Sequence, residues 1–212
     1  MIDSYLPAIF AVIAYLLGSI PTSVWVGRLF FNTDVRDHGS GNAGATNTIR
    51  IFGWKAGLPV MVIDVFKAVA AVLLVRLIPW VEKGSDLYYT IESVYALLAI
   101  AGHIFPVFAG FRGGKGVATV FGAMLIINFP ATLISFLVFA LIIAFTRYIS
   151  LGSILAGITF PIAIILILNI PHIGFQIFSL LVPVIITISH RQNIGRLFRG
   201  EERKFNFGKK TE

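Results

Sequence analysis

Cysteine is absent from the 212 residues, which excludes disulfides and thiolate metal sites and leaves the redox compartment unreadable. Charge is scarce as well, with Asp, Glu, Lys and Arg making up 13% of the chain against 57% hydrophobic residues. That balance, with a mean hydropathy of +0.89, excludes an ordinary soluble domain. Acids are the rarer sign, 10 against 17 basic residues, for a formal net charge of +7. Familiar catalytic signatures are missing too. No His/Asp/Glu cluster has metal-ligand spacing, and no G-x-S-x-G elbow occurs. "FRGGKG" approaches the nucleotide P-loop and fails it twice, because Ala109 stands where the first Gly belongs and Gly116 follows Lys115. No internal repeat is visible, and no low-complexity segment beyond a basic tail.

What is present is hydrocarbon in long runs. A bilayer core takes about 20 apolar residues per helix, so the chain has room for about six or seven short spans and almost no soluble part. The runs lie at 5–26, 56–78, 88–109, 117–127, 131–145, 151–168 and 173–189. The first is too long for a signal-peptide core and lacks a basic leader and a small-residue cleavage site, so it reads as a retained span. The fourth and fifth are separated only by Asn128-Phe129-Pro130. Proline disfavours helix in its predecessor and Asn favours a turn, which predicts a tight hairpin between two short helices. The expected fold is an all-α integral membrane protein, a single domain over 1–212 with seven transmembrane helices, some of them short.

Charge placement supports seven. With the amino terminus outside and the carboxyl terminus cytoplasmic, 14 of the 17 basic residues fall on internal segments. Only Arg76 and Lys83 lie outside, with Lys67 inside a span. A six-helix arrangement without a break at Pro130 would split the basic loops between the two faces.

This topology sends every strongly polar patch to the cytoplasmic side: "GSGNAGATNTIR", "GHIFPVFAGFRGGKGVAT", "RYISLGS" and "SHRQNIGRLFRG". Glycines allow close backbone approach and anion-binding nests. Helix amino termini add partial positive charge after the Gly44–Thr48 and Gly114–Gly116 stretches. Arg50, Arg112, Lys115 and His190 supply full charge, and Ser, Thr and Asn side chains complete the shell. The guest such cytoplasmic polar loops predict is phosphate. Taken singly, each patch has a plainer reading, since glycines serve close helix packing and loop cations set topology. Four on one side favour a site.

Individual residues divide similarly. His103 reads as a structural hydrogen-bonding residue, and His38 and His172 carry no assigned role. His190 and Asn193, three apart, would share a helical face and read as functional. Asp64 and Lys67, three apart inside the second run, read first as a structural ion pair and only second as catalytic.

At these residues the sequence resembles a bacterial family, the integral-membrane acyl-phosphate:glycerol-3-phosphate acyltransferases of the PlsY type. "GSGNAGATN", "GGKGVAT" and "SHRQN" stand where that family's motifs stand, in the same order, over essentially the whole chain. The resemblance implies one transmembrane acyltransferase domain in the bacterial cytoplasmic (inner) membrane. It would move a fatty acyl group from acyl phosphate to the first hydroxyl of glycerol 3-phosphate, an early step of phospholipid synthesis. The products would be lysophosphatidic acid and inorganic phosphate. It implies no cofactor and no metal, no nucleic acid partner, and acyl phosphate supplied by a separate acyl-carrier-protein-dependent enzyme. It carries site roles to Ser40, Arg50, Lys115, Ser153, His190 and Asn193, with Ser40, Lys115 and His190 catalytic. Asn42, Gly44, Thr46, Asn47, Gly113, Gly114 and Gly116 become supporting or backbone contacts. Direct attack by the hydroxyl is favoured over acylation of Ser40, and its proton could pass to His190 or to a substrate phosphate. The competing classes are a transporter, which should show polar groups near mid-span and inverted repeats, and a small structural subunit, which would leave the four polar loops unexplained.

Overall fold

The computed structural model describes residues 2–206, so Lys209 and Lys210 of the basic tail lie outside the described residues. Every regular element among the described residues is helical. They fall into two compact units, one within Met1–Ile126 and the other within Ile127–Lys209.

The first unit carries α1 (Leu6–Gly18), α2 (Thr22–Phe31), α3 (Ala45–Phe52), α4 (Trp54–Leu73), α5 (Asp86–Ile104) and α6 (Val117–Ile127). The run expected as one span over 5–26 is instead a broken pair, α1 and α2, bent by 42° and continuing to Phe31. Pro21 explains the break, because it has no N–H to carry the helical ladder forward. Close packing then holds α1 against α5. A Cβ on Gly18 would run into the Ala99 backbone, and one on Gly102 into the Tyr15 carbonyl, so only glycine permits this approach. Two tyrosine hydroxyls clamp the same pair, Tyr15 Oη donating to the Phe105 carbonyl (2.8 Å) and Tyr95 Oη to the Pro7 carbonyl (3.0 Å). Ala14, Ala71, Val75, Tyr95 and Ala99 form the apolar core between α1, α4 and α5. Gly122 brings α6 onto the backbone of Val65 in α4.

The second unit carries α7 (Phe129–Thr146), α8 (Ile149–Ile162), α9 (Ile173–Ser189) and α10 (Arg191–Phe198). Asn128 breaks the helix as expected and caps the next one, its Oδ1 accepting from the Ala131 amide at 2.9 Å. Pro130 sits in the first turn of α7, where no N–H is missed. Gly152 of α8 packs on Phe139 and Ile143 of α7. Phe160 meets Phe178 of α9 edge to face at 6.1 Å. Beyond Pro161, α8 loosens into a π-helical turn, Ala163–Ile167. At His190, α9 gives way to α10 through a 64° bend.

Four helical segments, Trp54–Leu77, Asp86–Ala109, Phe129–Thr146 and Ile149–Ile167, are long and apolar enough to cross a membrane, and six if each bent pair is one span. All seven apolar runs are helical, but α6 has 11 residues. At 1.5 Å per residue it reaches roughly 16 Å, short of a hydrocarbon core of about 30 Å. Length therefore supports four to six full spans, with α6 as a shorter apolar helix. Phe66, Leu133, Leu141 and Phe145 turn outward and exposed, as lipid-facing side chains do.

Candidate active site

The first unit assembles two glycine loops. The loop before α3 is built around Asn47, which is 1% exposed. Its Oδ1 accepts from the Ser40 amide (2.9 Å), while Nδ2 donates to the carbonyls of Val35 (3.0 Å) and His38 (3.1 Å). Asn47 thus shapes the loop from within. Gly39, at φ +63°, lies so close to the Asn47 Oδ1 that no side chain fits there. This leaves Ser40 exposed at the rim, with Asn42 half-buried behind it. Gly44 is the N-cap of α3, and Thr48 Oγ1 returns a bond to the Gly44 carbonyl (3.1 Å). Thr46 and Arg50, four apart on α3 and both half-buried, share one face.

The second loop, 105–116, is seated on the end of α5. Gly113 and Gly114 donate their amides to the Ile104 and His103 carbonyls, each at 3.1 Å. A Cβ on Gly113 would strike the His103 carbonyl, and one on Gly114 would strike the Ala43 carbonyl and the His103 ring. Gly113 therefore lets the second loop sit close on the end of α5, and Gly114 lets the two loops touch. Lys115, half-buried, follows between Gly114 and Gly116, and Gly116 takes φ +79° as the chain turns into α6. Arg36 locks the arrangement from the side. Its Nη1 donates to the Ala109 (2.8 Å) and Arg112 (3.2 Å) carbonyls, while its other nitrogens hold Asp34 (2.7 and 2.9 Å). Those bonds from Arg36 hold the Asp34 carboxyl well below the usual carboxylate range, overriding the opposite push of burial. Asp34 in turn raises the Arg36 guanidinium.

The second unit holds Ser153, His190 and Asn193. His190 is 3% exposed, and its Nδ1 lies 2.8 Å from the Ile186 carbonyl. A carbonyl only accepts, so Nδ1 carries the hydrogen and Nε2 is the acceptor nitrogen of the neutral ring. Asn193, on α10 as the spacing anticipated, donates its amide to Glu202 Oε1 (2.6 Å). Ser150 Oγ donates to the same oxygen (2.7 Å), and Arg196 Nε reaches Oε2 (2.8 Å). Burial pushes the Glu202 carboxyl up, but bonds from Asn193, Ser150 and Arg196 outweigh it and hold the group below its ordinary value. Ser153, buried, returns its hydroxyl to the Ile149 carbonyl (2.8 Å).

Sequence reasoning missed Arg36 and Glu202 as builders of these loops. Arg36 stood out only as a charge flanking the first loop, because its loop partners are backbone carbonyls 73 and 76 positions away. Glu202 carried a faint signal, an acid within a basic tail.

Known proteins resemble the chain over nearly its whole length. The family model for glycerol-3-phosphate acyltransferase matches residues 8–200. The glycerol-3-phosphate acyltransferase of Chlorobaculum tepidum is 41% identical over 94% of this chain and 97% of its own. Glycerol-3-phosphate acyltransferase 2 of Bacillus anthracis is 44% identical over 91% of this chain and 96% of its own. The crystal structure of PlsY (YgiH), an integral membrane glycerol 3-phosphate acyltransferase in its glycerol 3-phosphate form, superposes with a TM-score of 0.85 at 33% identity, covering 94% of this chain and 96% of that one. Its lysophosphatidic acid form gives a TM-score of 0.82 at 32% identity, over 94% and 95% of the two chains. On this evidence of motif, fold and whole-length likeness, the chain belongs to the glycerol-3-phosphate acyltransferase family of integral membrane acyltransferases.

Proposed function

We propose that this acyltransferase uses acyl phosphate as its donor and the first hydroxyl of glycerol 3-phosphate as its acceptor. The hydroxyl oxygen forms the new bond to the acyl carbon, and the bond from that carbon to the phosphate oxygen breaks. Lysophosphatidic acid and inorganic phosphate leave, as an early step of phospholipid synthesis. The observation that carries this reading is the meeting of two glycine loops at Gly114 and Ala43, pinned by Arg36, with Lys115 on the second loop and Arg50 on α3, the helix that the first loop leads into. Such a loop and helix bring cationic side chains to a phosphate and its departing charge. The acceptor and product match the ligands named for the two PlsY crystal forms.

Acyl phosphate is a mixed anhydride with a good leaving group, so direct attack suffices. No base is paired with Ser40 by a motif in the sequence, which favours stabilisation of charge over acylation as its role. The hydroxyl proton passes to His190 Nε2, whose tautomer is suited to accept it, or to a substrate phosphate oxygen. Asn42, Gly44, Thr46, Asn47, Gly113 and Gly116 act by shaping the loops, and Ser153 and Asn193 by supporting the surroundings of His190. The whole chain then serves as one acyltransferase domain of the bacterial cytoplasmic membrane, fed by a separate enzyme that makes acyl phosphate from an acyl carrier protein.

Purified protein in detergent, given acyl phosphate and glycerol 3-phosphate, should release lysophosphatidic acid and phosphate in equal amounts. The same preparation should give no comparable turnover with acyl-CoA, because the loops carry phosphate-binding chemistry and the one P-loop-like string fails the nucleotide pattern. Equal rates with the two donors would overturn the acyl phosphate assignment. Orientation follows from the charge distribution: reporter fusions should place the amino terminus outside and the carboxyl terminus in the cytoplasm. A fusion after Asn128 should report the outside face, and a cytoplasmic signal there would defeat seven crossings.

A further inference from the structure

An ionic cluster lies buried beneath the two glycine loops of the first unit. Asp64 and Lys67, one turn apart on α4, are 2% and 5% exposed and pair at 2.9 Å. Thr22 Oγ1 donates to the same carboxylate oxygen (3.1 Å), and Lys67 Nζ donates to the Ile20 carbonyl (2.9 Å). The pair therefore fastens α4 to the break between α1 and α2. His103, 6% exposed at the end of α5, is the next neighbour. Its Nδ1 stands 3.7 Å from Asp64 Oδ1, beyond hydrogen-bond reach, and has no hydrogen-bond partner among the described residues. A cavity of about 10 Å³ opens among Asp64, Lys67 and His103 below Ala43, Gly113 and Gly114. That is room for one water with three polar neighbours.

The opposite side of the His103 residue meets the loop. Its carbonyl accepts the Gly114 amide (3.1 Å), and its Nε2 lies where a Gly114 side chain would be. An ion pair kept only for packing would be complete once Thr22 and Ile20 are counted. It would not leave a buried imidazole nitrogen unpartnered beside it, on the wall of a cavity that takes one water, because buried polar groups are almost always paired. Ionisable groups at membrane depth also carry a desolvation penalty that function commonly justifies.

We propose that His103 is a positioning residue for the GGKG loop, held by the Asp64–Lys67 pair through a single water that bridges Asp64 to His103 Nδ1. The water donates to Asp64 and joins Nδ1 in either tautomer. The ring is thereby fixed, Gly114 rests on its other edge, and Lys115 follows one residue later. This rests on the reading that the loop binds phosphate.

Two variants of the full chain separate this from packing. His103→Asn keeps an amide near the position of Nδ1, whereas His103→Gln carries it to the Nε2 edge against Gly114. With glycerol 3-phosphate and with inorganic phosphate as probes, calorimetric titration of His103→Gln should show affinity weakened by about tenfold or more, and the KM for glycerol 3-phosphate should rise in step. His103→Asn should stay severalfold closer to the unaltered protein. Unchanged binding in His103→Gln overturns the proposal, and so does an equal loss in both variants. If His103→Gln does not fold, Thr22→Val decides, since it removes a donor to Asp64 and touches neither loop. Weaker phosphate binding supports the proposal, and unchanged binding ends it. Unaltered protein that binds glycerol 3-phosphate but makes no product from acyl phosphate defeats the donor assignment alone, leaving the variant binding ratios to judge His103.

Discussion

Lys115→Ala should lower kcat/KM by about a hundredfold or more while leaving the yield of folded, detergent-soluble protein unchanged. The figure follows from the ~3 to 4 kcal/mol that one well-placed charge-stabilising donor supplies in a transition state. Lys115 is half-buried between two buried glycines, on a loop seated by backbone bonds from Gly113 and Gly114 to the end of α5. Removing the ammonium leaves those backbone bonds in place. Lys115→Arg should recover little, because a planar guanidinium is longer and wider than the compact ammonium that fits between close backbones. A lysine kept only for topology would behave oppositely, with arginine substituting freely and alanine disturbing insertion more than turnover. Near-normal kinetics in Lys115→Ala for both substrates would remove it from the site.

The apolar runs were legible because a span needs only length and composition, and each of the seven is helical in the structure. The division of the first run into α1 and α2 was not, since Pro21 within a membrane helix is as compatible with a kink as with a break. The glycine loops were legible as loops, yet what holds them was not. Asn47 stood among the expected supporting contacts, and its three bonds go to the backbone of its own loop. Arg36 acts on carbonyls, which have no signature in a side-chain pattern. Asp64 and Lys67 could be paired from their spacing on one helix. Their meeting with Thr22 and His103 depends on how α2, α4 and α5 pack, which no local pattern records.

That packing makes the glycines of the second loop unequal, although the string "GGKG" treats them alike. Gly116→Ala should be the milder change. Its φ of +79° costs a side chain about 1–2 kcal/mol, but the nearest atoms to a new Cβ are side-chain carbons of Ile100 and Ile104 at 3.5 and 3.6 Å, an ordinary contact. Gly114→Ala should be far more severe, with turnover down by about a hundredfold or more. Its Cβ would lie 2.7 Å from the Ala43 carbonyl oxygen, a backbone atom that cannot rotate aside, and would press on the His103 ring. The two loops must then separate, and a shift of about 1 Å at Lys115 is enough to produce a loss of that size. Because the clash lies between loops and not in the apolar core, thermal stability should fall far less than kcat. The comparison to make is kcat, KM for glycerol 3-phosphate and melting temperature of both variants side by side. Equal, modest losses in the two would mean that strain within the second loop matters and that its contact with Ala43 does not. A collapse confined to Gly114→Ala would tie activity to the meeting of the loops.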